Sequence, residues 1–286
     1  MYQIVNVGAK RGSEAFLIIT DEKTALLDSG YAFCAKEMIG NIKATLKGRA
    51  LDFCILSHSH YDHVSGSPYL KDEWPDIKII AGEYVKKVFS KASAIEVMRD
   101  LNNNAALVYN VSGYDDKLDN LTVDITVKDG DIIDLGSLKF TVIETPGHTK
   151  CSLSFYDTEK ELLLASETFG VPAGNNIIMP CCMVGYKMTM DSINKARRLG
   201  PKVILYPHLG FVPELNDGFF DNSISCLESL KKIVLKGQSQ GKTEEEIKND
   251  IKDAFYTPEI CGFQPEKAFL LNAGYQIALI LKEAFA

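Results

Sequence analysis

The sequence has no long hydrophobic run. Across its 286 residues the apolar stretches stay short, and the one at 277–281 is far below the roughly 20 residues that cross a bilayer. No membrane partner is expected. An excess of basic charge is also missing: 31 Lys and Arg face 38 Asp and Glu, a formal net charge of −7. Phosphate backbones and anionic lipids are bound by clustered cations, so no nucleic-acid partner is expected either. The opening residues, MYQIVNVGAK, lack a basic segment followed by a long apolar one, the pattern of a secretory signal. The seven cysteines are odd in number and scattered, with only Cys181 and Cys182 adjacent. That favours reduced thiols and a cytoplasmic location over a disulfide framework. No literal internal repeat is visible. Histidine is scarce too, yet three of the five fall within residues 58–63.

Short strands are expected at 3–7, 15–20 and 24–28, split by glycine and charged turns. A helical pattern at 34–47 stops at Gly48. Residues 51–57, LDFCILS, suit a buried strand, which places the histidine-rich stretch on the loop at its C-terminal end. A strand at 77–81 and a helix at 82–91 follow. Segment 92–120 is less regular, helical at 98–104 and a polar loop at 110–120, and is read as an insertion over a site. Strands are expected at 124–127, 131–135 and 139–144, then a sharp TPGH turn at 145–148, where proline fixes φ and glycine frees it. Strands at 151–156 and 161–165, a Gly/Pro/Asn-rich loop at 170–187, a helix at 190–199 and a strand at 202–206 come next. Beyond residue 211 the pattern turns helical: 221–236, a helix opened by the TEEE capping box at 243–246, and 266–286. This divides the chain into a sandwich domain, residues 1–211, and a helical C-terminal extension, residues 212–286.

Residues 57–63 read SHSHYDH. In an extended loop His58 and His60 point the same way, because side chains alternate, so both rings reach one metal ion. Asp62 and His63 follow after a turn and reach a second ion beside it. Imidazole and carboxylate are ordinary donors for zinc and also suit iron or manganese. His148 in TPGH and His208 in YPHLG again lie just after strands, so all five imidazoles occupy strand-end loops. In a layered α/β sandwich such loops gather at one edge of the sheets.

With LLDSG carrying Asp28, SHSHYDH at 57–63, TPGHT carrying His148, and His208 closing the set, residues 1–211 resemble the metallo-β-lactamase superfamily. The resemblance implies an α/β fold, a four-layer αβ/βα sandwich, with a dinuclear site of two divalent metal ions, zinc first and iron or manganese as alternatives. It implies that His58, His60 and His148 hold one ion, and that Asp62, His63 and His208 hold the other. The bridging acid departs from the family's usual aspartate: residues 165–169 read ASETF, and Glu167 is the carboxylate at that place. Pro207 stands where glycine is common. Asp28 is implied to accept hydrogen bonds that orient the histidine-rich loop, and Ser57, Thr145 and Thr149 are candidates for similar work.

Two such ions lower the pKa of a water from about 15.7 to about 7 and polarise an electrophilic oxygen, so no serine or cysteine nucleophile is needed. Asp62 is expected to act catalytically as well as to bind metal, by orienting the attacking water or taking its proton. The substrate expected is a small molecule, a thioester, ester or phosphoester, with residues 92–120, Tyr186, Lys187 and Phe211 as candidate pocket lining. Two other readings stand beside this. One is a diiron redox protein; those relatives usually carry glutamate where this sequence has His60, and no flavin module follows. The other is a non-catalytic or regulatory metal-binding protein whose helical tail packs against a second copy as a homodimer.

Overall fold

Alternation along the strands decides the layering. Phe16, Ile18, Ala25 and Leu27 face one way, while Leu17 and Leu26 face the other, and both sets are buried. Strands buried on both faces need cover on both sides. The computed structural model, which describes residues 1–212, 218–262 and 264–285, supplies it with four layers. The expected C-terminal extension therefore includes positions 213–217, 263 and 286 that lie outside the described residues.

The first sheet begins as a meander of β1 (Tyr2–Asn6), β2 (Phe16–Thr20) and β3 (Thr24–Leu27), to which β4 (Phe53–Ile55), β5 (Lys78–Gly82) and β6 (Ile125–Val127) add in parallel. In the second sheet β7 (Ile132–Asp134), β8 (Lys139–Glu144), β9 (Leu153–Asp157) and β10 (Leu162–Leu164) run antiparallel. A two-stranded hairpin of β11 (Val171–Pro172) and β12 (Ile178–Met179) intervenes. Then β13 (Val203–Tyr206) pairs parallel with β10, and β14 (Gly210–Phe211) folds back on β13. Leu27, Ile55 and Ile80 of the first sheet meet Phe140, Phe155 and Leu164 of the second in the central core.

Outside the first sheet lie α1 (Ala35–Leu46), α2 (Tyr61–Val64), α3 (Ser67–Glu73), α4 (Glu83–Phe89) and α5 (Ala92–Val108), burying Met38, Ile42, Leu70 and Met98 against it. Outside the second lie α6 (Tyr186–Arg197), α7 (Phe219–Ser239), α8 (Glu244–Phe255), α9 (Pro258–Cys261) and α10 (Glu266–Ala284). Their apolar faces share one cluster with Tyr156, Leu163 and Tyr206 of the sheet. The capping box at α8 is present, Thr243 Oγ1 accepting from Glu246 N and the Glu246 carboxylate accepting from Thr243 N.

Two elements differ from the sequence reading. Helix α5 is much longer than 98–104, because buried Ile95, Met98, Asn102 and Ala106 keep helical spacing through a run of asparagines that masks it. Helix α6 starts at Tyr186 rather than 190. Nothing local caps it; the Glu283 carboxylate of α10 accepts from Tyr186 N at 2.8 Å and Lys187 N at 3.1 Å. A cap that is 97 residues away leaves no sequence signal.

Gly66 follows α2 and sits against β3's exit. A Cβ there would be driven into the Ser29 carbonyl oxygen, which is backbone and cannot swing aside. We expect Gly66→Ala to lower stability by about 1–3 kcal/mol, read as a shift in urea midpoint without a change in slope.

Candidate metal centre

Sheet ends and one short helix position the site. β4 delivers His58 and His60, α2 turns the chain so that Asp62 and His63 come round, the turn after β8 carries His148, the exit of β10 carries Glu167, and the β13–β14 turn carries His208. All seven converge. The donor atoms of His58, His60 and His148 lie within 4.8 Å of one another, as do those of Asp62, His63 and His208, and those of His58, His63 and Glu167. The two Glu167 oxygens face different trios: Oε1 is 2.7 Å from His63 Nε2 and 3.0 Å from His208 Nε2, whereas Oε2 is 3.1 Å from His148 Nε2.

Four imidazoles are held through Nδ1, which turns Nε2 inward. His63 Nδ1 donates to Asp28 Oδ2 at 2.8 Å. His58 Nδ1 donates at 3.0 Å to Ser57 Oγ, which itself donates to Asp28 Oδ2, while Asp28 Oδ1 accepts from Ser57 N. His148 Nδ1 donates to the Cys181 carbonyl at 3.2 Å. His208 Nδ1 donates to Glu14 Oε2, also at 3.2 Å. His60 is reversed and presents Nδ1, 2.9 Å from His148 Nε2. Asp28 and His208 both have φ in the left-handed region, at 58° and 63°, a cost tolerated where surroundings fix the side chain.

The donor set fits a divalent metal site. Buried His58 Nε2 has no hydrogen-bond partner, and His63 Nε2, though close to Glu167, is not aligned to donate to it. Buried nitrogens with outward lone pairs aimed at one another and at a carboxylate are costly unless a cation lies among them. Without a cation, burial and the neighbouring charges pull these rings in opposite directions. Burial drives His58 well below its ordinary value and lowers His60 to about 3. Burial opposes charge on His63 as well, but Asp62, Asp28 and Glu167 outweigh it and hold that ring well above 6.5. On His208 burial is outweighed by Glu167 and Glu14, which raise it to about 10. Glu167 is buried too, yet His148, His63 and His208 hold its carboxyl well below the usual range.

These shifts set a pH dependence for chelator-treated protein. His60, lowered in the folded state, lets the unfolded chain bind more protons below pH 6.5, so stability is lost as pH falls from 6.5 towards 3. His208, raised in the folded state, makes the native chain hold the extra proton between 6.5 and about 10, so stability is lost as pH climbs through that window. Thermal unfolding across pH should give a maximum near 6.5. Metal affinity should instead keep rising above pH 6.5, because binding expels those protons.

Several sequence expectations are corrected. The hydroxyls of Thr145 and Thr149 turn to serines: Thr145 Oγ1 lies 3.0 Å from Ser154 Oγ, and Thr149 Oγ1 lies 2.8 Å from Ser152 Oγ. Thr168 is the threonine that serves the turn, its Oγ1 accepting from His148 N at 3.2 Å and donating to the Thr145 carbonyl. Tyr186 and Lys187 line surface grooves that include none of the seven candidate ligands; the Tyr186 ring lies under Lys231 Nζ at 4.6 Å. Segment 92–120 packs against the ligand loop, with Asn102 Nδ2 donating to Ser65 Oγ and Asn102 Oδ1 accepting from Ala32 N. Phe211 ends β14 as an exposed side chain. Glu14 and the Cys181 carbonyl were missed. A backbone oxygen has no residue signature, and Glu14 reads as a loop carboxylate whose partner is 194 residues away.

A model of the metallo-β-lactamase superfamily matches residues 9–208, and the chain belongs to that superfamily. The described fold, an αβ/βα sandwich with C-terminal helices, agrees with it. Among particular relatives, the metallo-β-lactamase fold-containing protein ST1585 of Sulfurisphaera tokodaii is 28% identical over 198 residues, covering 66% of this chain and 69% of that protein. A hydroxyacylglutathione hydrolase of Legionella pneumophila is 26% identical over 114 residues, 40% of this chain and 32% of the relative, so the chain spans about a third of that enzyme's length. The crystal structure of the metallo-β-lactamase family protein TTHA1429 from Thermus thermophilus superposes with a TM-score of 0.63 at 15% identity, over 99% of this chain and 94% of the other, a likeness of fold. Superfamily membership and the His/Asp/Glu cluster together support a metal-dependent hydrolase. Among the described residues no helix is long and apolar enough to cross a membrane.

Proposed function

We propose that the chain hydrolyses a small thioester, with oxygen esters and phosphoesters as the neighbouring substrate classes. The observation that carries the reading is Glu167 reaching both imidazole trios, one oxygen towards His148 and the other towards His63 and His208. His58, His60 and His148 would hold one divalent ion, Asp62, His63 and His208 the other, with zinc the first expectation. Bound there, such ions supply Lewis acidity and acidify water at neutral pH.

The chain's own residues then have distinct tasks. Asp28 and Ser57 fix the tautomers of His63 and His58 so that Nε2 of each stays a lone-pair donor. Asp62 is the least buried of the carboxylates facing the site, its side chain 21% exposed, with Oδ2 3.7 Å from both His63 Nε2 and His208 Nε2. Its proposed task is to orient an attacking water and to take its proton. The hydroxyacylglutathione hydrolase relative, named for thioester chemistry, favours a thioester over the other classes.

The test joins elemental analysis of the purified protein with a panel of thioester, phosphodiester, phosphomonoester, lactone and β-lactam substrates. Thioester cleavage that disappears with a chelator and returns with zinc is the expected result. Metal-replete protein that cleaves none of the panel overturns the reading.

A further inference from the structure

Residues 8–14 link β1 to β2 and bring Glu14 to His208. The loop is tied at several points. Gly12 N donates to Glu14 Oε2 at 2.9 Å, Ser13 N donates to the Lys10 carbonyl at 2.9 Å, and Tyr31 N donates to Ser13 Oγ at 3.0 Å. The Tyr109 hydroxyl from the end of α5 donates to the Arg11 carbonyl. Gly12 has φ of +81°, and a Cβ there would lie 3.2 Å from the Tyr31 hydroxyl, so the turn that presents Glu14 favours glycine. The Glu14 side chain is 10% exposed, and the same Oε2 that accepts from Gly12 N accepts from His208 Nδ1.

His208 is held through Nδ1 by a carboxylate from a distant loop. It lies on a turn after Pro207, in a left-handed conformation, outside the 57–66 loop that carries His58, His60 and His63. Asp28 steadies His63 and, through Ser57, His58, but the structure gives it no bond to His208. Glu14 orients the imidazole that Asp28 leaves untouched.

We propose that Glu14 is the positioning residue for His208 and that, through it, the 8–14 loop sets how tightly the second of the two divalent ions is held, without affecting the first. The inference rests on the two-ion reading of the site. A hydrogen-bonded carboxylate behind a metal-binding imidazole fixes ring orientation and raises donor strength, and its loss weakens metal binding about 10–100-fold.

The test uses full-length protein stripped with a chelator and titrated with zinc against a chromophoric competitor, with bound zinc per chain counted after equilibrium dialysis. Wild type should take two ions. Glu14→Ala should hold the second about 10–100-fold more weakly and the first as wild type does. Glu14→Gln, whose amide oxygen still accepts from Nδ1, should fall between the two. Equal affinity of Glu14→Ala and wild type for both ions overturns the proposal, and so does equal weakening of both ions, which would mean a collapsed loop. If Glu14→Ala does not fold, Glu14→Gln decides: a weaker second ion with the first unchanged supports the role, and unchanged affinity refutes it. Wild type that binds no zinc fails the two-ion reading itself, an outcome distinct from any of these.

Discussion

Asp62→Asn should lower turnover by about 10²–10⁴-fold while most of the metal stays bound, the loss expected when a positioned proton acceptor is removed. Asparagine keeps the size and one oxygen donor of aspartate but cannot take a proton at neutral pH. Six other candidate donors remain, His58, His60, His63, His148, Glu167 and His208. The measurement is kcat on the best substrate beside metal content on the same preparation. Parallel losses of activity and metal would show that Asp62 serves only as a ligand.

Glu167→Gln should act on the metal itself. Glu167 is the carboxylate buried among His63, His148 and His208, each with a ring nitrogen within 3.1 Å of it. Replacing it by an amide of equal size removes the negative charge that faces both trios. A charged donor acting directly on the ions should matter more than a group one bond further out, so affinity should fall by more than about 100-fold and hydrolysis should drop to background. Competition titration with a chelator gives the affinity. Two ions bound at wild-type strength would show that Glu167 turns away from both, and the site would then rest on its histidines and Asp62 alone.

Individual strands and helices were legible because they leave different periodicities, and the capping box at 243–246 marked α8, whereas the four-layer arrangement followed from the resemblance carried by the histidine motifs. The SHSHYDH stretch was legible for another reason: four donors within six positions have no ordinary role in a core or at a surface. What escaped detection depends on contacts between distant segments. Glu14 looks like any loop carboxylate until the fold brings residue 208 to it. Thr145 and Thr149 flank His148 in sequence, yet the tight turn aims their hydroxyls at Ser154 and Ser152, and Thr168 on the neighbouring segment serves the turn instead. The first turn of α6 was invisible because its cap comes from α10.

That borrowed cap bears on the order of events during synthesis. Met183 N and Val184 N donate to the Gly147 carbonyl, and Cys181 lends its own carbonyl to His148, so the strap ending at α6 steadies this imidazole. The same strap is fastened at Tyr186 and Lys187 by Glu283. A nascent polypeptide that has emerged only as far as residue 211 already carries every histidine but not this last anchor. The strap behind His148 therefore gains its last fastening only once the end of α10 is in place.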